Sequence, residues 1–220
     1  MNGIRIVRAA CGALLLLLIA ACSHDVPLAP SYTPTADSPA VPEKVGIYLS
    51  EEFRTFEHKH SFGGDTWVFP LGAASTPLFE QAFNQVFDGA FAVGSLPPFE
   101  PARDDLAAVI EPRIEEFSAH IPLFKTQTYS ASIAYRFVLH DAKGEPIASW
   151  LVNGEGAQAG EFGFEFAKWP GRAADLAMED AAQKFSRSIL EEPEVRRWLK
   201  GRERLISGVP GIAYRLEEAR

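Results

Sequence analysis

Two cysteines, five histidines and a few close-set carboxylates are the residues of this 220-residue chain that could do covalent, metal or acid–base chemistry. Cys11 lies inside an apolar run and reads there as a small hydrophobe. Cys22 closes the run directly behind Ala20 and Ala21, and its thiolate would be the strongest nucleophile among ordinary side chains. His58 and His60 stand two apart, on one face of a strand, and would take a soft divalent metal if Glu57 or His24 came near. Glu57, Lys59 and the turn that follows read instead as a polar, solvated strand end. His120 and His140 are single, and read as satisfied surface or strand residues. Asp104-Asp105 and Glu115-Glu116 are neighbours in sequence, so in a strand their side chains diverge, and adjacency alone makes no acid–base pair.

Other catalytic signatures are missing from the sequence. It holds no His-Glu-x-x-His, no Gly-x-Ser-x-Gly and no phosphate-cradling Gly-Lys-Ser/Thr run. Gly154, Gly156 and Gly160 follow a hairpin strand rather than opening a helix, which is the wrong setting for a dinucleotide turn, and the stretch to Gly163 reads as a flexible loop. The expectation is no catalytic residue, no metal and no cofactor.

The thiol is therefore the centre of the reading, and the segment before it says what it is for. Arg5 and Arg8 form a positive leader, followed by the uncharged stretch Ala9 to Cys22 with its Leu14 to Leu18 run. Crossing a bilayer takes roughly 20 apolar residues, and Ser23, His24 and Asp25 end this run too early. The close, Ile19-Ala20-Ala21-Cys22, resembles the bacterial lipobox: an aliphatic residue, two small ones, then the cysteine that receives the lipid. The resemblance implies cleavage between Ala21 and Cys22 and a diacylglycerol on the Cys22 sulfur, with fatty acid such as palmitate. Several chains are needed for lasting attachment, since each buried CH₂ contributes about 0.8 kcal/mol and one chain holds only marginally. In that family the residue after the cysteine influences sorting, with aspartate favouring the inner membrane. Ser23 implies the periplasmic face of the outer membrane.

With residues 1–21 removed and Cys22 acylated, no thiol is left for a disulfide or a cysteine metal site, so the core must hold the domain by itself. Forty-seven per cent hydrophobic residues, including 16 Phe and 4 Trp, are enough for one core. Loss of Arg5 and Arg8 leaves 19 basic against 29 acidic residues, a mature chain near −10 that disfavours nucleic acid and anionic surfaces as sequence-independent partners.

Residues 22–43 carry Pro27, Pro30, Pro34, Pro39 and Pro42 among small polar residues and read as a tether. In polyproline II geometry it could reach about 60 Å at about 3.1 Å per residue. A single α+β domain, 44–200, follows. Val45, Ile47 and Leu49 alternate as a first strand, which Phe53 to His60 either extends or pairs with, before a turn at Gly63-Gly64-Asp65. A helix is expected over Leu71 to Phe91, starting either at Thr76-Pro77 or nearer Gly72, with Leu78, Phe79, Ala82, Phe83, Val86, Phe87 and Ala90 as its buried stripe. Leu106 to Phe117 reads as a strand in which Pro112 calls for a bulge or an edge. Ser130 to His140 alternates cleanly, turns at Asp141 to Gly144, and returns over Ile147 to Gly154. A second helix, Arg172 to Leu190, and a shorter one from Pro193 precede a loosely held tail, 201–220.

The order of these elements predicts a largely antiparallel sheet with two main helices on one face. Lipobox, proline-rich stretch, first strand, helix and meander together look like the small auxiliary lipoproteins of bacterial envelope transport and assembly systems. That resemblance implies a non-enzymatic binding or scaffolding role, a membrane contact through the lipid and an envelope protein as partner. Trp67, Trp150 and Trp169 are the candidate partner contacts, with packing as core aromatics the stronger reading for each taken singly. A periplasmic hydrolase and a structural peptidoglycan-binding lipoprotein are the competing readings.

Overall fold

Ile133, Tyr135, Phe137 and Leu139 point inward, alternating with Ala134 and Arg136, along one 15-residue strand of the computed structural model. The structure describes residues 23–34, 41–62, 64–103, 105–122, 126–161 and 168–207. The elements are β1 (Ser23–Asp25), β2 (Val41–Ile47), α1 (Glu51–Arg54), β3 (His58–Phe62), β4 (Asp65–Phe69), α2 (Leu71–Val86), β5 (Phe87–Ala92), β6 (Ala108–His120), β7 (Thr126–His140), β8 (Pro146–Glu161), α3 (Lys168–Ser188) and α4 (Pro193–Ser207). The fold is α+β. Five strands run in the order β5-β2-β6-β7-β8, and a separate three-stranded sheet runs β1-β4-β3. Antiparallel pairing holds for β6-β7-β8 and β3-β4, whereas β2 lies parallel to both β5 and β6, and β1 parallel to β4. Both sheets are thus mixed.

One face of the large sheet is covered by α2 and α3. Phe79 of α2 meets the rings of Tyr135 and Phe137 at 4.7 and 5.3 Å, and Phe185 of α3 lies 4.5 Å from Phe137. Trp150, opposite Phe137 on β8, completes the aromatic centre of the core. Deep in this packing the Ser75 and Tyr135 hydroxyls share a hydrogen bond of 2.7 Å, so neither buried polar group is orphaned.

Several expectations change, each for a local reason. The first main helix starts at Leu71 with Pro77 inside it, and ends at Val86 where Phe87 turns extended and β5 begins. Ser50 caps the short α1 by accepting from the Phe53 amide, so a helical turn stands where a strand was expected from Phe53. β6 is central rather than an edge: Pro112 is tolerated because pairing with β2 has ended at Ile110, and the register shift falls between Ile114 and Glu116. The glycine-rich stretch after Gly154 is strand as far as Glu161. A Cβ on Gly154 would stand 2.0 Å from the Ala177 carbonyl oxygen, and one on Gly156 2.1 Å from that of Ala173. These glycines let α3 lie directly on the sheet backbone. The first strand of the large sheet begins earlier than Lys44, at Val41, and α4 continues past Gly201 to Ser207.

At its outer edge β8 is capped by α3. The Glu155 amide donates to Asp180 at 2.9 Å, Lys184 donates to the Asn153 carbonyl at 3.0 Å, and the two side chains pair at 2.7 Å.

Candidate functional site

Cys22, Ala21 and the leader lie outside the described residues, but the chain is described from the very next residue. Ser23 and His24 of β1 pair with Thr66 and Trp67 of β4, the Val26 amide donates to the Val68 carbonyl at 2.9 Å, and Val26 is buried in the core. The chain then runs along α3 as a strap. Pro27 presses its carbonyl against Gly171, where a Cβ would be 2.6 Å away. The Ala29 amide donates to Asp175 at 2.9 Å, the Ser31 amide and hydroxyl both reach Glu179, and the Tyr32 hydroxyl meets that of Ser186 at 2.8 Å. Residues 23–34, expected as a free tether, are therefore laid onto the domain, because α3 offers acceptors one turn apart to amides that an extended chain leaves open.

The electrostatics of this strap centre on Asp175. Burial pushes its carboxyl up to about 6, against the Ala29 amide and the Arg172 guanidinium, which favour the charged form. Arg172 also reaches Glu179 at 3.2 Å. None of Arg172, Asp175, Glu179 or Ser186 stands out in the sequence as binding the amino-terminal segment. The available signal is the acid pair at i and i+4 behind a glycine at the head of the helix.

The three-stranded sheet gathers most of the histidines. His24, Trp67 and His60 are register neighbours across β1, β4 and β3; His24 pairs with Asp65 at 3.3 Å and tilts against the Trp67 ring. His58 sits against Phe69 and Phe117, and burial, with His60 nearby, lowers its affinity for a proton. Among the described residues no group of three His, Cys, Asp or Glu side chains is arranged to hold a metal.

Of the three tryptophans named as partner contacts, Trp67 and Trp150 are core residues, about 4% and 5% exposed. The correction has a plain cause: each points from a strand into packing that needs large aromatic volume. Trp169 is half-buried, lies over Gly160 and has the Lys168 ammonium 5.6 Å from its ring centre. The exposed large hydrophobics among the described residues are Phe91 and Leu151, each 44% accessible.

Charge converges on the opposite face of the large sheet. Glu111, 4% exposed, receives Arg113 at 3.0 Å and faces the His140 Nε2 at 3.1 Å. The Gly144 carbonyl can only accept, so His140 Nδ1–H donates to it, at 3.2 Å. Glu111 holds the Arg113 guanidinium firmly charged, helped by Glu115 and Glu52. These groups line a cavity of about 510 Å³ with Tyr48, Ser50 and Phe53. The Ser50 hydroxyl oxygen is occupied in capping α1. His140, read as a lone strand residue, is thus half of a buried His–Glu pair, visible only once the β6-β7 register sets it opposite Val109, two positions from Glu111 on the same face.

No family model matches the chain. No curated protein matches it either. Among solved structures, a Xanthomonas campestris protein of family DUF330 is similar over 84% of this chain and 99% of its own, with 10% identity and a TM-score of 0.48. A minor lipoprotein from Acinetobacter baumannii is similar over 72% of this chain and 96% of its own, with 12% identity and a TM-score of 0.41. A candidate lipoprotein from Caulobacter crescentus is similar over 72% and 91%, with 12% identity and a TM-score of 0.40.

Proposed function

We propose that this chain is a lipoprotein acylated on Cys22, held at the periplasmic face of the outer membrane, whose domain binds or scaffolds an envelope protein as the auxiliary subunit of a transport or assembly system. The observation that carries the reading is Ile19-Ala20-Ala21-Cys22 behind a basic leader and a leucine run. No described helix is long and apolar enough to cross a membrane. The role is non-catalytic: the buried Glu111 is committed to His140 and Arg113, an arrangement that holds a sheet face together.

Mass spectrometry of the amino-terminal peptide from membranes tests the anchor. The expected result is a chain starting at Cys22 with diacylglycerol and a further acyl chain, and a Cys22→Ala variant that leaves the membrane fraction. An unmodified, uncleaved amino terminus would overturn it. Crosslinking in intact cells tests the partner, with an envelope transport or assembly protein as the expected product and capture of none as the contrary result.

A periplasmic hydrolase is the second reading, favoured by the cavity where Glu52, Glu111, Arg113 and Glu115 converge. Turnover of ester, amide or glycoside substrates that disappears in Glu111→Gln would establish it over the first.

A further inference from the structure

We infer that the domain lies directly against the phospholipid headgroup layer, with the Ser23, Ser61, Asp65 and Thr66 end of the three-stranded sheet facing the lipid. This rests on the acylation of Cys22 proposed above and fixes what that anchor does to the domain. The proline-rich composition suggests a body swinging at the end of a leash, and the strap removes the leash. Between the lipid-bearing cysteine and the first paired strand residue there is one peptide bond.

Reach sets the geometry. One residue spans at most about 3.6 Å, and neighbouring strands stand about 4.8 Å apart. Ser23, Thr66 and Ser61 are register partners in successive strands, so Ser61 lies within roughly 15 Å of the Cys22 backbone on these spacings. The headgroup layer of each leaflet is about 5–8 Å deep, which brings this end of the sheet to its border. The strap cannot swing the domain away without breaking the β1-β4 ladder, withdrawing Val26 from the core and parting Ala29 and Ser31 from Asp175 and Glu179.

Surface chemistry at this end matches a headgroup layer rather than hydrocarbon. Ser23, Ser61 and Thr66 are hydroxyl residues, and His24 is paired with Asp65 at 3.3 Å. A mature chain near −10 would be repelled by anionic lipid if its acidic surface were turned to the membrane. At the apposed end the Asp65 carboxylate is engaged by His24, and the other groups are hydroxyls. The β7-β8 turn at Lys143 is at the far end: Pro27 touches Gly171 at the head of α3, where Gly160 underlies Trp169 and pairs with Gln127, and β7 runs thirteen residues from Gln127 to His140, about 40 Å of strand.

The test uses full-length acylated protein in vesicles of phosphatidylethanolamine and phosphatidylglycerol, four to one, with nitroxide on a fraction of the headgroups. A fluorophore is placed on Ser61→Cys or on Lys143→Cys, with acylation of each sample verified by mass. Quenching several-fold stronger at position 61 than at 143 is expected. A six-residue Gly-Ser insertion between Cys22 and Ser23 leaves the strap intact and lengthens the reach by about 20 Å, and should remove most of the difference. Equal or absent quenching in verified acylated protein, or a difference untouched by the insertion, overturns the apposition alone. Absence of the acyl mass overturns the lipoprotein reading and this inference with it.

Discussion

Two helices cover the same sheet face by opposite means. α2 sets Phe79 and Phe83 among Tyr135, Phe137 and Phe185, filling the gap with rings. α3 buries Ala173, Ala174, Ala177, Ala181 and Ala182, and closes the gap by letting its backbone touch β8 at Gly154 and Gly156. The first device depends on volume present, the second on volume absent. Their failures should therefore have opposite signs of size: α2 is harmed by making residues smaller and α3 by making them larger. A second difference follows from the close approach. Away from the sheet α3 is free to carry the strap through Asp175 and Glu179.

The largest break in this comparison is expected from Phe137→Ala, where the rings of both helices meet; loss of about 3–5 kcal/mol in urea unfolding is expected, and a loss below 1 kcal/mol would show the ring cluster to be loosely packed. Gly156→Ala adds one methyl against the Ala173 carbonyl and should cost about 1–3 kcal/mol, although alanine is the better strand and helix residue in an open site. A neutral result in thermal melts would mean that α3 shifts freely. Tyr135→Phe, leaving the Ser75 hydroxyl without its partner, should cost about 1 kcal/mol. Adding Ser75→Ala should then cost less than the two single changes together, the sign of coupling in a double-mutant cycle.

The smallest effect belongs to the strap and depends on pH. Asp175 has its carboxyl pushed up to about 6, above its ordinary range. Its contribution is thus fully present below that ordinary range and is lost as pH rises through about 6. Asp175→Asn keeps an oxygen for the Ala29 amide without the buried charge. The melting temperature of the wild type should fall between pH 5 and pH 7.5 by more than that of the variant, and parallel curves would refute the assignment.

How much of this was readable in advance depends on how far each signal reaches along the chain. The lipobox reading and the β7 alternation are local, and the α+β class followed from the order of such local patterns. The β8 strand beyond Gly154 was hidden because its inward positions are occupied by glycine, whose missing side chain is supplied as alanine from α3. A strand whose buried face is empty has no period to detect. The strap was hidden for a related reason: its acceptors lie 146 and 148 residues away, and proline-rich sequence carries no internal mark of where it docks. For Trp67 and Trp150, residue type alone does not distinguish a ring that seals a core from one that meets a partner.

The side chains of Asp180 and Lys184 on the margin of β8 have one more effect. An outermost strand ordinarily offers a template on which another chain can zip, the first step toward fibrils wherever many copies are held close together. Here the outward amide of Glu155 and carbonyl of Asn153 are already taken by α3. An incoming strand would have to displace an ion pair before making its first bond at that stretch, so the molecule can be crowded along this flank without being spun into thread.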